Sequence, residues 1–307
     1  MILPPYGIIK DRLKSGKVIP FLGAGASLAG RPEKTAWNPA DPAFLPSGDE
    51  LAHFLADRAT FPSSEPRDRD DLAKVSSYLV DVAGRPQLRD YLHGVFNRSY
   101  SVGPLHQYLA SLPGPLLIVT TNYDTLLEEA FLRAGKPYDL VVYPSDRKDL
   151  ANAVLWWPHG ASEPKVSVPN KLRIDFSKTT VIYKMHGSVN LKDNSWETYV
   201  VTEEDYVEFL SRMTARTAIP ACFFDHFLER SFLFLGYGLR DWNLRVVLRN
   251  LSKYFSRRAA GEENEEDIVP SWAIQLGPSE LERLLWQKRN VTIFDLSLDE
   301  FVDGLKT

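Results

Sequence analysis

Short runs of β-branched and aromatic residues recur at 18–22, 116–120, 140–143, 181–185, 232–235, 272–276 and 291–294, several of them nearly continuous in hydrophobicity. Runs of this length and composition predict strands. Helical periodicities at 125–134, 203–213, 242–255 and 279–288 lie between them. Strands that are apolar throughout and alternate with helices predict an α/β fold, a parallel sheet covered on both faces. Between about 47 and 112 the pattern changes. Amphipathic segments at 49–58, 70–82, 87–96 and 105–111 follow one another without a strand signal, which predicts a helical insertion in a single domain spanning 1–307. The Pro- and charge-rich stretch 61–70 reads as a loop inside it, and the acidic stretch 261–267 as a mobile loop. Thr202-Glu-Glu-Asp205 has the form of a capping box and predicts a helix start. Gly135-Lys-Pro137 predicts a helix stop. No internal repeat is visible.

Four loops carry the candidate chemistry, and each follows a predicted strand. Lys17-Val-Ile-Pro-Phe-Leu22 runs into Gly23-Ala-Gly-Ala-Ser27, where missing side chains let backbone amides approach a diphosphate. Alone, such a turn reads as an ordinary tight turn. Leu117-Ile-Val-Thr-Thr-Asn-Tyr-Asp124 ends in polar residues just before a helix, so Asn122 or Asp124 taken singly reads as a helix cap. Val181-Ile-Tyr-Lys-Met-His-Gly-Ser188 places His186 at a strand end, where an imidazole can face a cleft. The second His-Gly pair, in Trp156-Trp-Pro-His-Gly160, sits in a Pro-flanked segment without a strand signal, so His186 is preferred to His159. The fourth loop, Gly236-Tyr-Gly238, follows a buried strand and could equally be close packing of strand against helix. Position joins the four, because the carboxyl ends of parallel strands share the edge where ligands bind.

Composition narrows the reading. With 36 Lys+Arg against 40 Asp+Glu and a formal net charge of -4, nothing drives the chain broadly toward nucleic acid or an anionic membrane. The single cysteine, Cys222, excludes an intrachain disulfide and a multi-cysteine zinc site and fits a reducing compartment. The start Met1-Ile-Leu-Pro-Pro-Tyr-Gly7 lacks the pattern of a signal peptide, and no stretch approaches the roughly 20 apolar residues of a membrane span, so the expectation is a soluble cytoplasmic protein.

Gly23-Ala-Gly-Ala-Ser27, Thr120-Thr-Asn-Tyr-Asp124, Met185-His-Gly187 and Gly236-Tyr-Gly238, in that order, resemble the sirtuin superfamily, and in particular the bacterial sirtuin-like NADase domains of anti-phage defence systems. The resemblance covers about 18–240 and implies a Rossmann-like fold that cleaves the nicotinamide–ribose bond of NAD, with NAD as substrate. Protein-deacylating sirtuins usually carry a Pro-Asp-Phe-Arg segment after the Gly-rich turn and a structural four-cysteine zinc module. Here Gly30-Arg-Pro-Glu-Lys34 stands in the first place and the cysteines are missing, so no zinc is expected, and the two departures together speak against an acyl-lysine substrate. By resemblance, Asn122 would hold the ribose or the attacking water, and His186 would act as base on a ribose hydroxyl or on water, a task suited to a pKa near neutrality. Asp124 would orient the nicotinamide pocket or its loops. Gly23, Ala24, Gly25 and Ser27 would hold phosphate, and Gly236, Tyr237 and Gly238 would line the adenosine or phosphate side. The product expected is ADP-ribose. Transfer to an acyl-lysine or other acceptor, or NAD or ADP-ribose binding by a regulatory subunit without turnover, are the other readings. Because free NAD cleavage harms its host, the resemblance also implies gating through homo-oligomers or a partner such as a HerA-like ATPase or a short Argonaute-like protein, with 47–112 and the aromatic segment near Phe223 as candidate interfaces.

Overall fold

A computed structural model of the protein describes residues 3–32, 35–40, 42–145, 147–150, 152–190, 192–215, 217–237 and 269–307. The expected helix at 242–255, the acidic stretch 261–267 and Gly238 lie outside the described residues. After α1 (Tyr6–Lys14), β1 (Val18–Leu22) leads into a short 3-10 turn at Ala24–Leu28. The helices α2 (Gly48–Arg58), α3 (Pro66–Arg69), α4 (Leu72–Ala83), α5 (Arg85–Phe96) and α6 (Pro104–Ser111) then follow without a strand. The stretch 61–70, read as a loop, thus contains the single turn α3, started by Pro66 at its first position.

The remainder alternates: β2 (Leu117–Thr120), α7 (Leu126–Arg133), β3 (Tyr138–Val142), β4 (Val154–Trp157), β5 (Lys165–Ser167), β6 (Thr180–Lys184), the two-residue strands β7 (Gly187–Ser188) and β8 (Thr198–Tyr199), α8 (Glu203–Thr214), α9 (Phe224–Glu229) and β9 (Ser231–Leu235). β10 (Ser271–Ile274) and β11 (Val291–Phe294), with helices Glu280–Gln287 and Leu298–Lys306, complete the described chain. Thr202 and Asp205 form the expected capping box at the start of α8. Gly135 ends α7 at φ 64°, with the Lys136 amide donating to Phe131 O at 3.0 Å, so its left-handed backbone satisfies a carbonyl that the helix leaves free.

The nine-stranded sheet has the order β11-β10-β9-β1-β2-β6-β3-β4-β5, parallel from β11 to β3 and antiparallel at β4 and β5. The segment around Trp156, read as strandless, is therefore a strand, paired antiparallel with β3 on one side and with the edge strand β5 on the other. Its two tryptophans are only half-buried and Pro158 closes it at once, so it lacks the continuous apolar run that marks the central strands. In those strands the twofold side-chain period divides residues between two cores: Ile19, Phe21, Val119, Tyr183 and Phe234 on one face, Val18, Leu22, Ile118, Ile182 and Leu235 on the other. A third cluster joins the insertion (Leu51, Leu55, Leu79, Leu92) to Tyr123, Val189 and Tyr199, so the inserted helices pack on the loops at the sheet's carboxyl edge.

Candidate functional site

From β1 the chain crosses to β2 on one side, and it later returns to place β9 on the other, which makes β1 the switch point of the sheet. Loops leaving adjacent strands on opposite sides open a crevice there. The loops after β9, β1, β2 and β6 stand side by side in the sheet, and a cleft of ≈ 220 Å³ lies over them, touched by Ala24, Ser27, Asn122, Asp124, His186, Gly236 and Tyr237.

The Gly-rich turns meet each other. The Gly25 amide donates to Gly236 O at 2.9 Å, and the Gly23 amide to Leu235 O at 2.9 Å. Gly236 holds φ 71°, and a Cβ there would sit 2.1 Å from the Ala26 nitrogen. The first need for glycine is therefore the approach of the two loops. Ala26 N also donates within the turn, to Gly23 O at 2.9 Å. The Ala24 amide has no partner among the described residues and Ala24 is exposed on the cleft, so it is the donor of this turn open to an anion.

Ser27, Asn122 and Asp124 form one network. Asn122 Nδ2 donates to Gly23 O at 3.0 Å and to Ser27 Oγ at 2.8 Å, which uses both of its protons. The Ser27 hydroxyl in turn donates to Asp124 Oδ2 at 2.7 Å. Asn122 Oδ1, with no donor to it among the described residues, is left as an acceptor. The other Asp124 oxygen accepts from the Leu126 amide at 3.0 Å, so this carboxylate both caps α7 and orders the site. Thr121 Oγ1 and Tyr237 Oη, 2.8 Å apart, tie the β2 loop to the β9 loop.

His186 is 6 % exposed, and its Nε2 has no hydrogen-bond partner among the described residues. Its ring meets Tyr206 and Phe209 of α8 edge-on, with centroids 5.5 and 5.1 Å away. This apolar burial pushes the imidazole down to about 3, well away from the near-neutral value expected of a base. The resting ring is neutral, and its Nε2 is left to form a hydrogen bond with a bound ligand. His159 is exposed beyond β4, and its amide donates to Asp139 Oδ1 at 3.0 Å.

Several contributors carry no motif in the sequence. Leu45, Pro46, Ser47, Gly48 and Leu51 of the insertion and Tyr206 of α8 wall the cleft. Ser77 and Arg85 of the insertion hold α8 in place: Ser77 Oγ accepts from the Glu203 amide at 3.0 Å, and Arg85 pairs with Asp205 at 2.7 Å. Lys184, buried beneath the site at the end of β6, was legible only as one polar residue in an apolar run. Among the described residues no group of three His, Cys, Asp or Glu is placed to hold a metal ion.

A mostly parallel sheet covered by helices, with a polar crevice at its switch point, defines a Rossmann-like α/β fold. The chain belongs to the SIR2-like domain family, whose model matches residues 116–294. It is 23% identical to defense-associated sirtuin 2 of Bacillus subtilis over 251 residues, 80% of this chain and 20% of that protein. It is 28% identical to the NAD(+) hydrolase ThsA of Acinetobacter baumannii over 189 residues, 61% of this chain and 32% of that protein. With the ThsA of Enterococcus faecium it shares 24% identity over 243 residues, 78% of this chain and 41% of the relative. The chain thus spans between a fifth and about two fifths of these relatives' lengths.

Proposed function

We propose that this chain hydrolyses NAD to nicotinamide and ADP-ribose. The observation that carries the reading is the pair of unpartnered polar atoms, Asn122 Oδ1 and His186 Nε2, on one cleft at the sheet's switch point. Nicotinamide in NAD is a cationic leaving group, so it departs neutral and needs no general acid. The barrier lies in the oxocarbenium-like ribose, which calls for orientation and a placed nucleophile. Asn122 Oδ1 accepts from the attacking water or a ribose hydroxyl, and Ser27 keeps the amide turned so that this oxygen faces the cleft. His186 Nε2 accepts from a ribose hydroxyl. The water oxygen bonds to C1′ as the C1′–N bond breaks, its electron pair goes to the nicotinamide ring, and the water proton leaves to solvent. The Ala24 amide takes a diphosphate oxygen, and Gly236 and Tyr237 line the adenosine side, with Gly238 next to them in sequence.

The Bacillus subtilis relative is named defense-associated, which supports use in defence, and we propose that NAD loss serves to halt phage infection. We place the chain in the cytoplasm, as a homo-oligomer gated by assembly or by an ATPase or Argonaute-like partner. Its test is nicotinamide release by the purified chain beside Asn122→Ala and His186→Ala, with an acyl-peptide added in one arm. Release that falls at least a hundredfold in both variants and ignores the peptide is the expected result. NAD that binds without any nicotinamide appearing would overturn the hydrolase reading.

A further inference from the structure

We infer that Lys184 is a positioning residue that locks the Asn122–Asp124 loop to the turn carrying His186. The inference rests on the hydrolase reading for its catalytic consequence, and on geometry alone for the lock. The Lys184 side chain is 1 % exposed, at the last position of β6. Its ammonium donates to Tyr123 O at 3.3 Å, to Asp124 O, and to Ser188 Oγ at 3.0 Å, and it pairs with Glu128 Oε1 at 2.6 Å. Two of these partners are carbonyls of the β2 loop, one lies on the turn after β6, and the fourth is on α7. A single cation therefore fastens three elements at a point directly under the cleft.

The arrangement braces His186 from both sides. Lys184 precedes it by two residues and Ser188 follows by two, so the Nζ–Oγ bond closes the turn between them. Backbone bonds run alongside: Met185 N to Thr120 O at 3.0 Å and Val189 N to Tyr123 O at 3.0 Å. Ser188 Oγ, occupied by the ammonium as acceptor, spends its own proton on Val189 O at 2.8 Å. Burial raises the Glu128 carboxyl while Lys184 pulls it down, so the pair is held by mutual need. Well-packed apolar residues commonly replace a buried ion pair at no loss of stability. Stability alone therefore gives little reason for a lysine here, and the three oxygens it gathers from the site loops give a specific one.

The test uses Lys184→Met/Glu128→Gln, which leaves no uncompensated buried charge, and Ser188→Ala, which removes one arm and keeps the ion pair. Amide exchange without NAD is expected to rise at least tenfold in residues 121–127 and 185–190 of the double variant, and in 185–190 of Ser188→Ala, with β1 and β10 unchanged. Nicotinamide release by the double variant is expected to lose at least tenfold in kcat with KM changed less than threefold. Wild-type exchange in both segments, or faster exchange with kcat retained, would overturn the positioning role. If the wild type releases no nicotinamide while the exchange pattern holds, the lock stands and the hydrolase reading falls.

Discussion

Single residues here carry two duties each, and the structure separates them. Asp124 caps α7 with one oxygen and orders Ser27 with the other, so the choice between cap and site posed by the sequence dissolves into both. Ser27 lies on the Gly-rich turn like a phosphate ligand, yet its hydroxyl is already committed to Asp124 and Asn122, which makes it the part that sets the Asn122 amide. His186 has the most measurable consequence. Its folded pKa of about 3 lies below the ordinary value of 6.5, so the unfolded chain binds the extra proton first as the pH falls. Stability from this group is then complete above 6.5 and is lost progressively between 6.5 and 3, at roughly 1.4 kcal/mol per pH unit. Thermal or urea unfolding of the wild type and His186→Gln between pH 7.5 and 4.5 checks this. The variant is expected to show the shallower acid loss, and parallel profiles would mean that the ring titrates freely.

At the scale of elements, α2 couples the insertion to the site. Ser47 and Glu50 form a capping box at its first turn, and Glu50 also accepts from the Trp37 amide at 2.7 Å and from Arg31 at 2.6 and 2.7 Å. These bonds, the Arg31 pair foremost, hold the Glu50 carboxyl down at about 2. Ser47, Gly48 and Leu51 face the cleft from the same turn. Ser47→Ala is expected to cost about 1 kcal/mol of stability and to raise KM for NAD severalfold, as read by unfolding and initial-rate measurements. Loss of stability with KM unchanged would separate the cap from the cleft wall. The central strands and α8 were legible because continuous apolar runs and a capping box announce themselves. The terminal helices were harder. α1 starts after Pro5 with no side-chain cap, while helix Leu298–Lys306 compresses both of its signals, a Ser297–Glu300 box and the helical spacing Leu298, Phe301, Val302 and Leu305, into nine residues. The β4–β5 hairpin escaped because the half-buried β4 and the largely exposed edge strand β5 show neither a continuous nor a strictly alternating apolar pattern.

For the whole molecule, the order of strands does what no single motif can. β1 stands between the half of the sheet that begins with β9 and the half that begins with β2, and the two halves touch at their carboxyl edge through the Gly23–Gly25 and Gly236–Tyr237 turns. The motifs after β1, β2, β6 and β9 were readable in one dimension. Lys184 and the walls from the insertion and α8 were not, because their role depends on which elements the topology brings overhead. The glycines are the joint between the halves. A methyl group at Gly236 would meet the Ala26 nitrogen at 2.1 Å and the Gly25 carbonyl carbon at 2.5 Å, with φ 71° already unfavourable for a side chain. Neither obstacle is the end of a flexible side chain, so relief requires the backbones to separate. Gly236→Ala is expected to destabilise by about 3 kcal/mol, in the range of substitutions that force strain on a special backbone position. It is also expected to abolish NAD binding measured by calorimetry at a temperature where the variant is folded. Gly135→Ala serves as control, since its φ of 64° carries similar backbone strain but its Cβ meets nothing within 4 Å. If the two variants lose equal stability and both bind NAD, the close approach of the loops is not what the glycine at 236 serves, and the crevice owes its shape to the surrounding helices instead.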